Sequence, residues 1–261
     1  MITLDTECLE WQEAGASGIS EKILKRDPDT GAQTLMLRST PRPRADIVDR
    51  RPQCHPVDEE FLCLAGRFTL EGTHWLTPMT YVYYPAGLVH GFNVDVPGGY
   101  EIYLRNSGPV TTQRVDSPAQ DSPYFLGDDH QDQSVIVSHC AELILDAADS
   151  SNLSVITLRK NERTKEGALI ACLPTPGHID LRIDGSGAYL EVLVLEGQIQ
   201  LGALKRMGKL GYAALVGSTQ LQITSIEPSI LMLNYCDGRL ASDIERQAEH
   251  LHHAINSPPP A

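Results

Sequence analysis

A chain that repeats itself has few folds open to it, and this one repeats. Ile2-Thr-Leu-Asp-Thr-Glu-Cys-Leu-Glu-Trp11 lines up with Ile136-Val-Ser-His-Cys-Ala-Glu-Leu-Ile-Leu145. At the same offset Ile19, Leu24 and Arg26 fall on Leu153, Leu158 and Lys160. Farther on, Glu60-Phe-Leu-Cys-Leu-Ala-Gly66 falls on Glu191-Val-Leu-Val-Leu-Glu-Gly197, after a small loop deletion. Similarity at one long period implies a duplicated unit. Within each copy Val, Ile, Thr and Tyr recur in short blocks between Gly and Pro, the signature of strands and turns. Strands are expected at Leu9–Trp11, Ile19–Leu24, Gln33–Arg38, Glu60–Leu70, Met79–Tyr84 and Tyr100–Arg105, with a turn at Asp27-Pro-Asp-Thr-Gly31. The expected fold is all-β: a barrel at 1–118, a polar linker at 119–134, a second barrel at 135–238, and a short C-terminal helix with a Pro-rich tail at 239–261.

That helix rests on Ser242-Asp-Ile-Glu245, which has capping-box spacing, and on an apolar stripe of Ile244, Ala248, Leu251 and Ile255. His250, His252 and His253 lie beside it and read as a solvated or packed helix end. Pro258-Pro-Pro260 reads as a tail without fixed structure.

The net charge of -13 and the lack of a dense basic cluster disfavour nucleic acid and anionic membranes as partners. Arg38, Arg42, Arg44, Arg50 and Arg51 are the nearest approach to such a cluster, and Asp46 and Asp49 interrupt them. The six cysteines, Cys8, Cys54, Cys63, Cys140, Cys172 and Cys236, form no C-x-x-C pair. The opening residues carry no basic and apolar leader, so reduced thiols and a cytoplasmic location are expected. No apolar run reaches membrane-spanning length.

The chemistry concentrates between His55 and His90. His55-Pro-Val-Asp-Glu59-Glu60 and Pro85-Ala-Gly87-Leu-Val-His90 offer two imidazoles and a carboxylate from short segments beside strand-like runs, which suits one metal ion. The alternative is a polar barrel mouth with ordinary hydrogen bonds. The second copy has Ser186, Leu190 and Gln220 or Leu221 at the matching positions, so it retains the strands and lacks the ligand set. Tyr83, Tyr103 and Arg105 lie on strands of the first barrel and are candidates to orient a substrate carbonyl or carboxylate. For Tyr83 packing is the favoured reading, and an interior Arg105 would require an anionic partner. Gly66, Gly72 and Gly87 read as corners, His74 as an exposed turn residue, and Cys54 and Cys63 as buried thiols.

His55-x3-Glu59-x6-Gly66 and Pro85-x-Gly87-x2-His90 resemble the two signature motifs of the cupin superfamily, whose fold is a double-stranded β-helix, or jelly roll. Trp11, Gly18-Ile-Ser-Glu-Lys22, Gly31-Ala-Gln-Thr-Leu-Met-Leu-Arg38 and Glu59-Glu60 extend the resemblance to the ChrR-type cupins. That group includes the metal domain of ChrR-type anti-sigma factors and 2,4'-dihydroxyacetophenone dioxygenases. The resemblance implies a bicupin with His55, Glu59 and His90 as ligands. The x6 spacing to Gly66 selects Glu59, and strand alternation turns Glu60 to the other face as a salt-bridge or capping group. Where the family motif has a further histidine this chain has Gln53, which leaves the fourth position to Gln53 or water.

The resemblance further implies one divalent ion, with Fe(II) favoured over Zn, Mn or Ni. It implies oxygenase chemistry, as a dioxygenase, on a small carbonyl-containing or enolisable substrate, and a homodimer by analogy with paired cupin barrels. Two other functions fit the same residues: a ChrR-like metal-binding sensor, and a metal-independent isomerase or epimerase using His90 with Tyr103 or Tyr83.

Overall fold

One hairpin of the first copy has a counterpart in the second, down to the hydrogen bonds of its turn. In this computed structural model Asp27 Oδ1 accepts from the amides of Asp29 and Thr30. Asn161 Oδ1 accepts likewise from Arg163 and Thr164. Both turns are Asx-type, in which a short polar side chain takes over backbone donors. Both then close through a residue at positive φ, Gly31 in one and Lys165 in the other. The two amide bonds on Asp27 hold its carboxyl below the usual range. The described residues are all except 16–17, 43–50, 117–123, 126–133, 149–150, 204, 238, 241 and 249–261. Arg44, Arg50, most of the expected linker, Leu251, Ile255, the three late histidines and the Pro-rich tail therefore lie outside them.

The strands form open antiparallel sheets rather than closed barrels. In the first copy the order is Ile136–His139, Thr80–Tyr84, Glu59–Gly66, Tyr100–Asn106, Gln33–Ser39, Ile19–Arg26, Gln12–Glu13. In the second it is Ile2–Asp5, Gly211–Val216, Tyr189–Leu201, Thr219–Cys236, Glu166–Leu173, Ser154–Lys160. The first six strands of each order correspond, with one exchange; Gln12–Glu13 in the first sheet, and Gly177–Ile183 and Lys205–Met207 in the second, have no counterpart in the other. The segment that opens each copy in sequence joins the sheet of the other copy: Ile2–Asp5 pairs with Gly211–Ala214, and Ile136–His139 pairs with Thr80–Tyr83. The compact units are accordingly Glu10–Ala141, and Met1–Leu9 with Glu142–Ala261.

Gly66 and Gly197 make the same corner. Both have positive φ, and in both a Cβ would stand 2.2 Å from a carbonyl oxygen, that of Gly99 or Pro228. Only glycine lets the facing strands approach so closely. The expected strand Glu60–Leu70 therefore ends at Gly66. Leu9–Trp11 is not a strand either. Trp11 packs its ring under two cations instead, Lys22 at 4.7 Å and Arg38 at 4.5 Å. Ala141–Ala148 is a helix where strand-like matching was expected, because Ala, Glu and Leu dominate it.

The second copy is filled with hydrocarbon. Leu190, Val192 and Val194 alternate inward and meet Leu169, Ile179, Leu181, Ala213, Leu231 and Leu233. Leu240 and, from the C-terminal helix at 242–248, Ile244 join this core. The start of that helix differs from expectation. Asp237 caps it through the Arg239 amide, and Glu245 accepts from the Thr157 hydroxyl instead of closing a capping box. Gln247 then ties the helix to the backbone of Asp180 at both its amide and its carbonyl. The six cysteines form no disulfide. Among the described residues no helix is long and apolar enough to cross a membrane.

Gly197→Ala should destabilise the protein by about 2 kcal/mol or more, since it adds a positive-φ penalty to a backbone clash. Denaturant unfolding monitored by circular dichroism measures this, and Gly187→Ala, where no atom lies within 4 Å of the added carbon, is the neutral control.

Candidate metal centre

Alternation along Glu59–Gly66 decides which side chains enter the first copy. Glu59 stands opposite Tyr84 and Asn106. Directly opposed residues share a face, and this face continues into the cluster of Phe61, Cys63, Val82, Tyr84 and Leu104. Glu59 is thus held on the inner wall. The two histidines come from the segments that close over it. A backbone bridge joins Gln53 to His90 through a reciprocal pair of hydrogen bonds of 2.8 and 2.9 Å. The Pro85–Leu88 turn, with Gly87 at positive φ, sends the Gly87 amide to the His55 carbonyl at 2.7 Å. Asp58 steadies that turn by accepting from the Ala86 amide.

His55, Glu59 and His90 converge, each offering one ligand atom within 4.8 Å of the others. Both histidines are buried. The Nδ1 of His55 donates to the Thr111 carbonyl, and the Nδ1 of His90 to the Leu88 carbonyl, each at 3.1 Å. A ring proton held at Nδ1 leaves the lone pair on Nε2. Those lone pairs face Glu59 Oε2 at 3.7 Å and 3.6 Å. Burial pushes the His90 imidazole below its usual value, more than neighbouring Glu59 raises it, which keeps it neutral at neutral pH. Three acceptors therefore confront one another at more than hydrogen-bond distance. A cation between them resolves that arrangement. Donors each about 2.1 Å from one ion stand roughly 3.0–3.4 Å apart in octahedral or tetrahedral sets, close to the 3.7 and 3.6 Å of the two His–Glu pairs. The cluster fits a metal ion.

Gln53 stands beside this trio, with its Nε2 3.4 Å from His55 Nε2. Its Oε1 accepts from Arg114 Nη1. In this arrangement the amide turns its NH2 to the site, so its oxygen is not aimed there as a fourth ligand. Other residues around the centre carried no local signal in sequence. Tyr84 packs its ring against His90, centroids 4.8 Å apart, and donates its hydroxyl to buried Glu71 at 2.6 Å. Burial and then Glu71 raise the Tyr84 phenol well above its usual range. Asn106 is buried on the Glu59 face, and its Oδ1 has no partner among the described residues.

Tyr83, Tyr103 and Arg105 are placed elsewhere. Glu60 stands opposite Tyr83 and Arg105, and Leu62 opposite Tyr103. All three thus share the Glu60 face and point away from Glu59. Arg105 there forms an ion pair with Glu60 at 3.3 Å, which supplies the anionic partner a part-buried guanidinium needs. His74 is exposed, as expected. In the second copy Leu190, the counterpart of Glu59, is buried in the apolar core. His55–Glu59–His90 is the metal-type cluster found among the described residues.

Residues 1–111 match the family model of the ChrR cupin-like domain. A search of curated proteins finds no match. Among solved structures, a candidate dioxygenase from Nostoc punctiforme PCC 73102 superposes with a TM-score of 0.66 at 19% identity, covering 92% of this chain and 84% of that one. YlbA from Escherichia coli gives 0.59 at 13% identity over 90% of each chain. Oxalate decarboxylase from Bacillus subtilis gives 0.56 at 11% identity, covering 91% of this chain and 76% of that one. At these identities the likeness is one of fold, and the fold is that of the cupins.

The face assignment is open to test. Arg105→Ala leaves Glu60 buried without this partner and should cost about 3 kcal/mol of stability. Metal content should be unchanged. Denaturant titration and elemental analysis of the same preparation read both, and loss of metal at unchanged stability would return Arg105 to the site.

Proposed function

We propose that this chain, a cupin-fold protein whose residues 1–111 match the ChrR cupin-like domain, is a metal-dependent oxygenase acting on a small carbonyl-containing or enolisable substrate. The observation that carries the reading is the convergence of two Nε2 lone pairs on one carboxylate. His55, Glu59 and His90 would hold one divalent ion, with Fe(II) favoured over Zn, Mn or Ni because a two-His-one-carboxylate set leaves positions open. Such an ion, when bound, supplies Lewis-acid activation of a carbonyl or enolate together with a redox centre for O2.

The chain's own part is orientation and exclusion of water. The Thr111 and Leu88 carbonyls fix both imidazole tautomers and ring planes. Phe61, Val82, Leu88 and Leu104 make the surroundings apolar, which strengthens every electrostatic contact inside. Tyr84, locked to Glu71, keeps its proton and backs His90 with an aromatic face. The likeness to a candidate dioxygenase supports the same reading.

A ChrR-like sensing role is the second reading, favoured by the family match. A thiol would be a poor sensor here. Burial raises the Cys54 thiol and pushes that of Cys63 up to about 12, so neither offers a ready thiolate. A sensor built on this fold would work through the metal.

Anaerobic reconstitution with Fe(II) should give one iron per chain by elemental analysis, and the loaded protein should consume O2 with an enolisable dicarbonyl. His90→Ala should lower iron affinity by about a hundredfold or more, beyond the cost of losing an outer partner, and abolish O2 uptake. Wild-type protein that takes up no metal would sink the oxygenase. Iron uptake without turnover, with a stable transcription-factor complex in a pull-down, would favour the sensor.

A further inference from the structure

The inner wall of the first copy carries one polar rung. Tyr84, Glu59, Asn106 and Gln33 lie opposite one another across four neighbouring strands. Directly opposed residues project from the same face, so all four line the wall on which the metal cluster is built. The next rung on that face is Val82, Phe61, Leu104 and Leu35, and every member of it belongs to the apolar core. The polar side chains of the wall thus gather at the level of the cluster.

Three of the four have partners. Tyr84 donates to Glu71, Gln33 accepts from Arg26, and Glu59 meets His55 and His90. Asn106 differs. It is 5% exposed, and its Oδ1 is buried with no partner among the described residues. A buried acceptor costs a chain stability unless something donates to it. Opposed residues have Cβ atoms about 4.5–5.5 Å apart, so this amide lies beside the Glu59 side chain. Asn106 is one methylene shorter than Glu59 and reaches less far from the wall. It is therefore suited to accept from a group bound at the ion rather than to be a ligand itself.

The second copy supplies the contrast. Its matching rung is Leu215, Leu190, Tyr235 and Gly167. The position of Asn106 is there held by Tyr235, and the position of Glu59 by Leu190, both in the hydrocarbon core. The fold therefore does not require an amide at this place, and the amide occurs in the copy that has the cluster.

We propose that Asn106 is a specificity-determining residue of this centre. Its Oδ1 accepts a hydrogen bond from the ligand that fills the open metal positions. The site then selects small carbonyl compounds that carry an N–H or O–H donor beside their metal-binding oxygens. This rests on the metal reading of His55, Glu59 and His90 and narrows the substrate class proposed for it.

The test uses zinc-loaded protein and two chelators, acetohydroxamate and N-methylacetohydroxamate. Both offer two oxygens to a metal ion, and they differ in a single N–H. Zinc removes redox turnover from the readout, and elemental analysis of each sample checks loading. In calorimetric titration Asn106→Leu should weaken acetohydroxamate binding about three- to tenfold, as expected for one neutral hydrogen bond. Binding of the N-methyl compound should be nearly unchanged, and zinc content should stay the same. Asn106→Ala should separate the two chelators in the same direction, which keeps the test intact if the leucine variant folds poorly. Equal effects on both chelators, or none on acetohydroxamate, overturn this proposal and leave the metal reading standing. Wild-type protein that retains no zinc overturns the metal reading, and this proposal with it.

Discussion

Three acceptors facing one another across a dry wall are an arrangement that a folded chain tolerates only under constraint. His55 and His90 could each relieve it by rotating a ring, and the carbonyls of Thr111 and Leu88 prevent that by holding the Nδ1 protons. Glu59 could relieve it by turning outward, and the alternation of its strand prevents that, because the next residue inward is Phe61. The bridge between Gln53 and His90 removes the last freedom by tying the two motif segments together. Such preorganisation holds the three ligand atoms together for a cation. An ion seated there would stabilise the folded state by linkage.

Duplication makes this arrangement bearable. The second copy has the same order in its first six strands, the same Asx-turn hairpin and the same glycine corner. Its inner strand turns Leu190, Val192 and Val194 into a mostly aliphatic core. Burying each such side chain contributes roughly 1.5–3 kcal/mol. The pair Glu60 and Glu191 shows how deep the correspondence runs. Both are buried on the face away from the core, one beside Arg105 and the other accepting from Tyr212. The copies diverge on the inner face, where chemistry is possible, and agree on the outer one, where a carboxylate needs only a partner.

Much of this was legible in the residues. Short β-branched blocks between turn residues, the repeat, and the spacing of His55, Glu59 and His90 are local patterns, and local patterns survive folding. What was not legible depends on pairing between distant segments. Nothing in Ile2–Asp5 says that it will join Gly211–Ala214, because an edge strand has the same period whichever sheet it completes. Tyr103 and Arg105 could be assigned to the wall of the site only as long as their register against Glu59 was open. One residue of offset sends a side chain to the other face, and the register sends these two away. Asn106, the residue next to Arg105, is the one that faces Glu59.

The same reasoning explains why the edge of the site was the hardest part to read. Arg114 sits in a polar segment without strand-like composition, and a two-residue pairing with Gln53 is all that brings it there. Gln53 taken alone is a missing ligand, a residue with one imidazole too few. Set between Arg114 and His55 it becomes a relay of donors, with its oxygen held outward and its N–H groups held toward the cluster.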